Sequence, residues 1–299
     1  MQKTLIVIAG PTASGKTALS IEVASHYRTE IISADSRQFY RELPIGTAQP
    51  SPTELSAVPH HFIANRSIFE ELNAGRFEEE ALSVISQLFK THDILVMTGG
   101  SGLFLDAVCN GLDALPQTDP EIRETLNKKH LEEGLLPLQQ MLREADPAYY
   151  EKVDINNPQR VIRALEVFIS SGKPYSSFLK AQPKPRPFRI VRFAIDLDRP
   201  HLYQRINERV DIMIASGLVE EARKVYPHRP LKTLETVGYT ELFNYFDETT
   251  SLEEAIDLIK RNTRRFAKRQ ITWLKRTPAT IWLRPQDFKK ILELLQRQA

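Results

Sequence analysis

Gly10-Pro11-Thr12-Ala13-Ser14-Gly15-Lys16-Thr17 fits the pattern G-x-x-x-x-G-K-[ST] at every fixed position. The apolar run Leu5 to Ala9 leads into it as a buried strand, and Ala18 to His26 leads out of it as a helix. Strand, glycine loop and helix start together build an anion site. Glycines let backbone N–H groups turn inward, the helix N-terminus adds partial positive charge, Lys16 supplies a full one, and the Thr17 hydroxyl suits Mg²⁺. Gly10 to Thr17 is therefore expected to bind a di- or triphosphate. Whether that phosphate is transferred or expelled as a leaving group, the loop leaves open.

Glu30 to Ala34 reads as a second strand ending at Asp35, and Asp93 to Thr98 as a third, ending in Gly99-Gly100-Ser101-Gly102, where a new helix begins. Strands alternating with helices predict a parallel, doubly wound sheet with its sites at the strand carboxyl ends. Gly10, Asp35 and Gly99 to Ser101 sit at three such ends. Beyond about Leu115 the pattern becomes helical. Asp119-Pro120 reads as an N-cap and first-turn proline, with Thr118 and Glu121 at capping-box spacing, and helical periodicity continues with interruptions to about Phe178. Pro183-Lys184-Pro185-Arg186-Pro187 is a stiff linker. Arg189 to Asp196 returns as a strand and Pro200 to Ser216 as a helix, and Ser251-Leu252-Glu253-Glu254 caps a basic helix ending near Trp273. The simplest arrangement is a core of residues 1–115 and 190–299 interrupted by a helical insertion over 116–189.

The 299 residues carry a net charge of only +2, but the charge is segregated. Val167 to Ile195 holds no Asp or Glu while Lys173, Lys180, Lys184, Arg186, Arg189 and Arg192 accumulate. Leu258 to Gln286 is again free of acids and carries Lys260, Arg261, Arg264, Arg265, Lys268, Arg269, Lys275, Arg276 and Arg284. Two such tracts read either as a phosphate-backbone footprint or as a solvated helix face with a basic linker. The single cysteine, Cys109, excludes an intramolecular disulfide and a multi-cysteine zinc site, and reads as a buried apolar residue. No apolar run approaches the ~18 residues of a membrane span and no secretory pattern opens the chain, so a cytoplasmic protein without a membrane partner is expected.

A loop of this kind most often holds ATP, which makes a small-molecule kinase the first functional reading. Kinases of this type need a second acid at another strand end to position Mg²⁺, and Met97-Thr98-Gly99-Gly100 offers none. Asp35 is the one well-placed carboxylate, within the polar constellation Ser33-Ala34-Asp35-Ser36-Arg37-Gln38. The residues ask for a polyanionic substrate together with a diphosphate-bearing one. A kinase and a non-catalytic RNA-binding module stay open as alternatives.

Gly10 to Thr17, Ile32 to Gln38, Ile45-Gly46-Thr47-Ala48, His60-His61, Gly99-Gly100-Ser101-Gly102-Leu103, Pro158 to Glu166, Gly238-Tyr239 and Ala267 to Leu274 resemble, in order, the blocks of the tRNA dimethylallyltransferase family. The resemblance covers nearly the whole chain. It implies an α/β fold, a P-loop NTPase-like core with a parallel sheet flanked by helices, and a helical insertion that grips the tRNA anticodon stem-loop. It also implies transfer of the dimethylallyl group of dimethylallyl diphosphate to N6 of the adenine just 3′ of the anticodon, with Mg²⁺ as cofactor. A monomer is expected.

The chemistry suits Asp35 as the base that accepts the N6 proton, with an N-cap or an outer-shell Mg²⁺ acid as its alternative, and Lys16 as a cation that stabilises the departing diphosphate. The resemblance adds Arg209 as a further cation, with a helix-surface salt bridge as its alternative. Ser101 stands where threonine is usual and lines the path to the adenine, with helix capping as its alternative role. Asp35, Ser36, Arg37, Gln38 and Ser101 are expected at the RNA, Gln38 reading an adenine edge through its amide. Gln159, Arg160, Val161, Ile162 and Arg163 resemble a second RNA-contacting segment, and Arg123 is a further candidate; a surface ion pair of Arg163 with Glu166 is the competing reading. Gln49, Phe104 and Ala64 depart from the residues common in the family, and His60-His61 is expected to make structural hydrogen bonds.

Overall fold

The structure is a computed structural model that describes residues 2–179 and 182–296. Lys180 of the first basic tract lies outside the described residues. The chain forms two compact units, one of residues up to Asn110 together with those from Pro185 onward, the other of Gly111–Lys184.

The first unit is built on six strands, Thr4–Ala9 (β1), Ile31–Ser33 (β2), His60–His61 (β3), Ile94–Gly99 (β4), Arg189–Ile195 (β5) and Ile281–Leu283 (β6). They lie in the order β3-β2-β4-β1-β5-β6, and every pairing is parallel. All of β1 is buried, as a strand covered on both faces requires, so its sequence is an apolar run and not an alternation. Leu5, Val7 and Ala9 face one layer with Phe39, Phe77 and Leu105; Ile6 and Ile8 face the other with Leu19, Val23 and Ile291. The sequence pattern predicts neither of the short edge strands β3 and β6.

The helices in chain order are Lys16–Tyr27 (α1), Pro52–Ala57 (α2), Ala74–Leu88 (α3), Gly102–Asn110 (α4), Pro120–Glu133 (α5), Leu136–Ala145 (α6), Pro147–Tyr150 (α7), Pro158–Ser171 (α8), Arg199–Ala215 (α9), Leu218–Val225 (α10), Tyr239–Phe246 (α11), Leu252–Leu274 (α12) and Phe288–Gln296 (α13). Helices α3 and α4 cover one sheet face, α1 and α13 the other. Val210, Leu218, Tyr239 and Ile259, from α9 to α12, form a separate core with Tyr40 and Leu43 from the loop after β2. That core fixes the ground beside the strand ends. Ser51 and Ser251 start α2 and α12 with complete capping boxes.

The second unit holds α5 to α8 around Leu126, Leu138, Leu142, Val161, Ile162 and Leu165. Asp119 caps α5 by accepting the Glu121 N–H. The capping box expected from Thr118 does not form: Asp119 takes the Glu121 N–H, while the Thr118 hydroxyl accepts from Arg163 Nη1 at 3.1 Å and donates to Glu166 Oε1 at 2.5 Å.

The insertion expected over 116–189 instead divides at 111 and 184. Arg186 explains the second boundary. Its Nε donates to Val108 O at 2.8 Å and its Nη2 to Ala107 O and Glu78 Oε1 at 2.7 and 2.8 Å, so it caps the carboxyl end of α4 inside the first unit.

Candidate active site

The loop Gly10 to Thr17 joins β1 to α1 and turns through Ala13 at φ 62° and Gly15 at φ 91°. Glycine removes the steric cost of that conformation at the position that also caps the helix. Gly15 offers α1 no side-chain cap. The N–H groups of Lys16, Thr17 and Ala18 therefore lack intrahelical acceptors and converge on an anion site. Two loop carbonyls are held, one from outside and one from within: Arg205 Nε donates to Ala13 O at 2.8 Å, and the Ser14 N–H to Pro11 O at 3.3 Å. The Gly10 N–H donates to Gly99 O. Ser14 Oγ is buried without a hydrogen-bond partner among the described residues.

Not every loop N–H is available, however. The Thr12 N–H donates to Gln270 Oε1 at 2.9 Å, and Gln270 Nε2 donates to Gly100 O at 2.9 Å.

Lys16 is partly buried, and desolvation lowers its pKa from 10.5 to about 8 despite the opposing pull of Asp35; the Arg209 charge lowers it further. Burial and the nearby Arg205 likewise press against the charged form of Arg209 and lower its pKa, an effect that Glu54 and Asp35 only partly oppose. The site thus concentrates cationic charge that an anionic ligand would relieve.

Asp35 follows β2, and its Oδ1 accepts the Arg37 N–H at 3.1 Å, which fixes the carboxylate. It lines a cavity of about 220 Å³ together with Thr12, Arg209 and Gln270. The remaining wall includes Val210, Met213, Leu218, Val237, Ile259 and Phe266. One cavity therefore combines charged groups with an apolar surface.

Ser101, just after β4, reaches the turn that carries Asp35. Its Oγ accepts the Ser36 N–H at 3.0 Å and lies 3.0 Å from Ser36 Oγ, so the hydroxyl braces the Asp35 turn and does not cap α4. The glycines around it leave room for neighbours. A Cβ on Gly99 would stand 2.5 Å from Ala34 O, one on Gly100 2.2 Å from Gln270 Nε2, and one on Gly102 2.2 Å from Trp273 Cδ1.

Several RNA candidates are already engaged. Arg37 donates to Thr233 O and Glu235 O at 3.2 and 3.1 Å. Gln38 Nε2 donates to Thr47 O and Ala48 O at 3.2 and 2.8 Å, so both amide protons expected at an adenine edge hold the cavity wall instead. In the second unit Glu166, 3% exposed, pairs with Arg123 at 3.1 Å and Arg163 at 3.2 Å. Val161 and Ile162, expected to touch RNA, are core residues at 0% and 4% exposure, whereas Gln159 and Arg160 are exposed. They lie on opposite faces of α8.

The first basic tract is not a continuous surface. Arg186 is bound as described, and Arg192 pairs with Asp106 at 2.6 Å. On α12, Lys260 pairs with Asp211 and Arg264 donates to Asn207, while Arg265, Lys268, Arg269 and, just beyond the helix, Lys275 are exposed.

The structure adds residues that the sequence left without a role. Besides Gln270 there is Glu221, 7% exposed, whose carboxylate accepts the Ile45 and Gly46 N–H groups at 2.8 Å each and the Tyr239 hydroxyl at 2.5 Å. It fixes the segment that carries Gly46, Thr47 and Ala48 along the cavity. Gln49 anchors the same segment through Tyr40 O at 2.8 Å, Phe104 packs on Phe39 and Phe77, and Ala64 adopts φ 49°. Cys109 is buried and its thiol pKa is pushed up by burial. His60 Nδ1 meets Val58 O, and His61 Nε2 meets Glu30 Oε2, both at 2.7 Å.

Among the described residues no group of three or more His, Cys, Asp and Glu forms a metal cage, and no helix is long and apolar enough to cross a membrane.

A family model described as IPP transferase matches residues 38–277. The tRNA dimethylallyltransferase of Christiangramia forsetii is 50% identical over 297 residues, covering 99% of this chain and 98% of its own. The crystal structure of the full-length tRNA isopentenylpyrophosphate transferase from Bacillus halodurans superposes with a TM-score of 0.71 at 35% identity, over 98% of this chain and 94% of that one. A eukaryotic dimethylallyltransferase acting on tRNA gives a TM-score of 0.81 at 26% identity, over 96% of this chain and 75% of that one. With a match of this extent and identity, the chain belongs to the IPP transferase family.

Proposed function

We propose that the protein transfers the dimethylallyl group of dimethylallyl diphosphate to N6 of the adenine on the 3′ side of a tRNA anticodon and releases diphosphate. The observation that carries this reading is the single cavity in which Asp35, Arg209 and the phosphate-loop residue Thr12 share a wall with Val210, Met213 and Phe266. A diphosphate on a short branched hydrocarbon needs that combination of surfaces.

In the reaction the N6 lone pair forms a bond to the first carbon of the allyl group as the carbon–oxygen bond breaks, and the electron pair of that bond leaves on diphosphate. An adenine amino group is a weak nucleophile because its lone pair is delocalised, so a carboxylate that accepts its proton assists most as the new bond forms. Asp35 takes that proton, with its orientation fixed by the Arg37 N–H. Lys16, Arg209 and the free N–H groups at the start of α1 stabilise the charge growing on the leaving group.

Mg²⁺ fits this site. The Thr17 hydroxyl, in the first turn of α1, has no intramolecular hydrogen bond among the described residues, and a cation that prefers oxygen and takes few protein ligands would be held there with diphosphate oxygens. Bound in that way it supplies further neutralisation of the leaving group.

An adenine can reach a site at the strand ends only when unstacked from its neighbours. Exposed Arg265, Lys268 and Lys275, and exposed Gln159 and Arg160 in the insertion, supply candidate contacts to the anticodon stem-loop. The reading takes the protein as a cytoplasmic monomer.

Diphosphate release tests the proposal. With Mg²⁺, release should require both unmodified tRNA and dimethylallyl diphosphate, and added ATP should not be consumed. Release without tRNA, or phosphorylation of a product at the expense of ATP, would overturn it.

A further inference from the structure

Gln270 lies on α12, 6% exposed, between two loops that belong to different strands. Its Oε1 accepts the N–H of Thr12 in the phosphate loop after β1, and its Nε2 donates to the carbonyl of Gly100 in the turn after β4, each at 2.9 Å. A donor on one side and an acceptor on the other also fix which way the amide points. Gly100 leaves room for the contact, since a Cβ there would stand 2.2 Å from Gln270 Nε2. One helical turn further, Trp273 Nε1 donates to Asp106 Oδ2 at 2.7 Å, and Asp106 Oδ1 receives Arg192 Nη2 at 2.6 Å. Thus α12 is pinned at two successive points, to the loops after the central strands β1 and β4 and to α4.

The buried face of α12 otherwise carries Ala255, Ile259, Ala267 and Leu274. An amide on such a face costs stability unless both its ends are bonded. Here both ends are bonded to backbone, one on each side of the proposed reaction. Beyond Gly100 lies Ser101, whose hydroxyl holds Ser36, the neighbour of Asp35.

We propose that Gln270 is a positioning residue that sets the spacing between the phosphate loop and the Ser101–Ser36–Asp35 turn, and so keeps the leaving group in register with the proton acceptor. The inference rests on the prenyl-transfer reading for its consequence in turnover, but the tie itself can be tested without it. A displacement of about 1 Å between reacting groups costs on the order of 10²-fold in rate, so loss of the tie should act on the chemical step more than on binding.

Gln270→Met keeps the length and removes both hydrogen bonds. Gln270→Glu keeps the acceptor for Thr12 and sets a carboxylate oxygen against Gly100 O. The measurements are the single-turnover prenylation rate at saturating tRNA and dimethylallyl diphosphate, the affinity for magnesium pyrophosphate, and amide hydrogen exchange at Thr12 and Ser101.

Gln270→Met should lower the single-turnover rate about 30- to 100-fold, with pyrophosphate affinity within about threefold of wild type and faster exchange at Thr12. Gln270→Glu should lose turnover while Thr12 stays protected. In a Ser101→Ala background the further loss from Gln270→Met should shrink to under about threefold, because the two changes disrupt one connected unit.

A rate within about threefold of wild type would overturn the proposal, as would an equal fold-loss in both backgrounds accompanied by loss of pyrophosphate affinity, the signature of a purely structural role. Wild-type exchange at Thr12 in Gln270→Met would overturn the tie itself. Failure of the wild-type protein to prenylate tRNA would count against the functional reading, while the exchange and pyrophosphate measurements would still decide the tie.

Discussion

Ser101 Oγ accepts the N–H of Ser36 at 3.0 Å, joining the turn after β4 to the turn after β2 across two adjacent strands. Its role is therefore to hold the residue next to Asp35. Ser101→Ala leaves the Ser36 N–H without this acceptor and should cost about 1–2 kcal/mol of stability. It should also slow prenyl transfer more than Ser101→Thr, which keeps the hydroxyl. Urea denaturation midpoints and single-turnover rates of the two variants give the comparison; equal rates in both would leave Ser101 without a part in the reaction.

Asp35→Asn preserves size and polarity but removes the proton acceptor. Turnover should fall about 10²- to 10⁴-fold. Magnesium pyrophosphate should still bind, since Lys16 and the start of α1 are untouched. A near-normal rate would transfer the proton to some other acceptor.

Lys16 illustrates a stability cost built into the site. With a pKa of about 8 in the folded protein against an ordinary 10.5, it is charged in both folded and unfolded states below pH 8, and folding then bears the cost of burying that charge. Between pH 8 and 10.5 the unfolded chain binds the extra proton, so this group makes stability rise with pH over that window, and above it the cost is gone. Lys16→Met should therefore raise the Tm at pH 7 by a few degrees and flatten the pH dependence between 8 and 10.5, while abolishing high-affinity pyrophosphate binding. Thermal unfolding of the ligand-free protein across this pH range checks the sign.

Much of this site is legible in the sequence because its parts are contiguous. The phosphate loop occupies eight consecutive residues, and the strand before it is a continuous apolar run. Strands β3 and β6, of two and three residues, are too short to show any period. The pairing of Thr12 with Gln270 spans 258 positions and has no local signature. A signal does exist, however: Gln270 is a polar residue at helical spacing from Ala267 and Leu274 on the apolar face of a basic helix. Arg186 and Arg192 read as a surface footprint because their neighbours in sequence lack acids. Their partners Glu78 and Asp106 are supplied by tertiary folding, 108 and 86 residues away. Val161 and Ile162 read in the sequence as one segment with Gln159 and Arg160, but a helix turns adjacent residues to different faces.

Counterion release tests the exposed basic residues of the second tract. Replacing Arg265, Lys268 and Lys275 by alanine should weaken tRNA binding and reduce the slope of log affinity against log salt by about 0.7 to 0.9 for each phosphate that is no longer neutralised. Binding of dimethylallyl diphosphate should not change. An unaltered slope would move the footprint to other residues.

Nuclease mapping with mass spectrometry of tRNA incubated with the protein, Mg²⁺ and dimethylallyl diphosphate locates the site of transfer. One dimethylallyl mass increment is expected on a single adenosine, the one immediately 3′ of the anticodon, with the increment on the base and lost in Asp35→Asn. An increment at another nucleotide, a phosphate increment, or full modification by Asp35→Asn would contradict it.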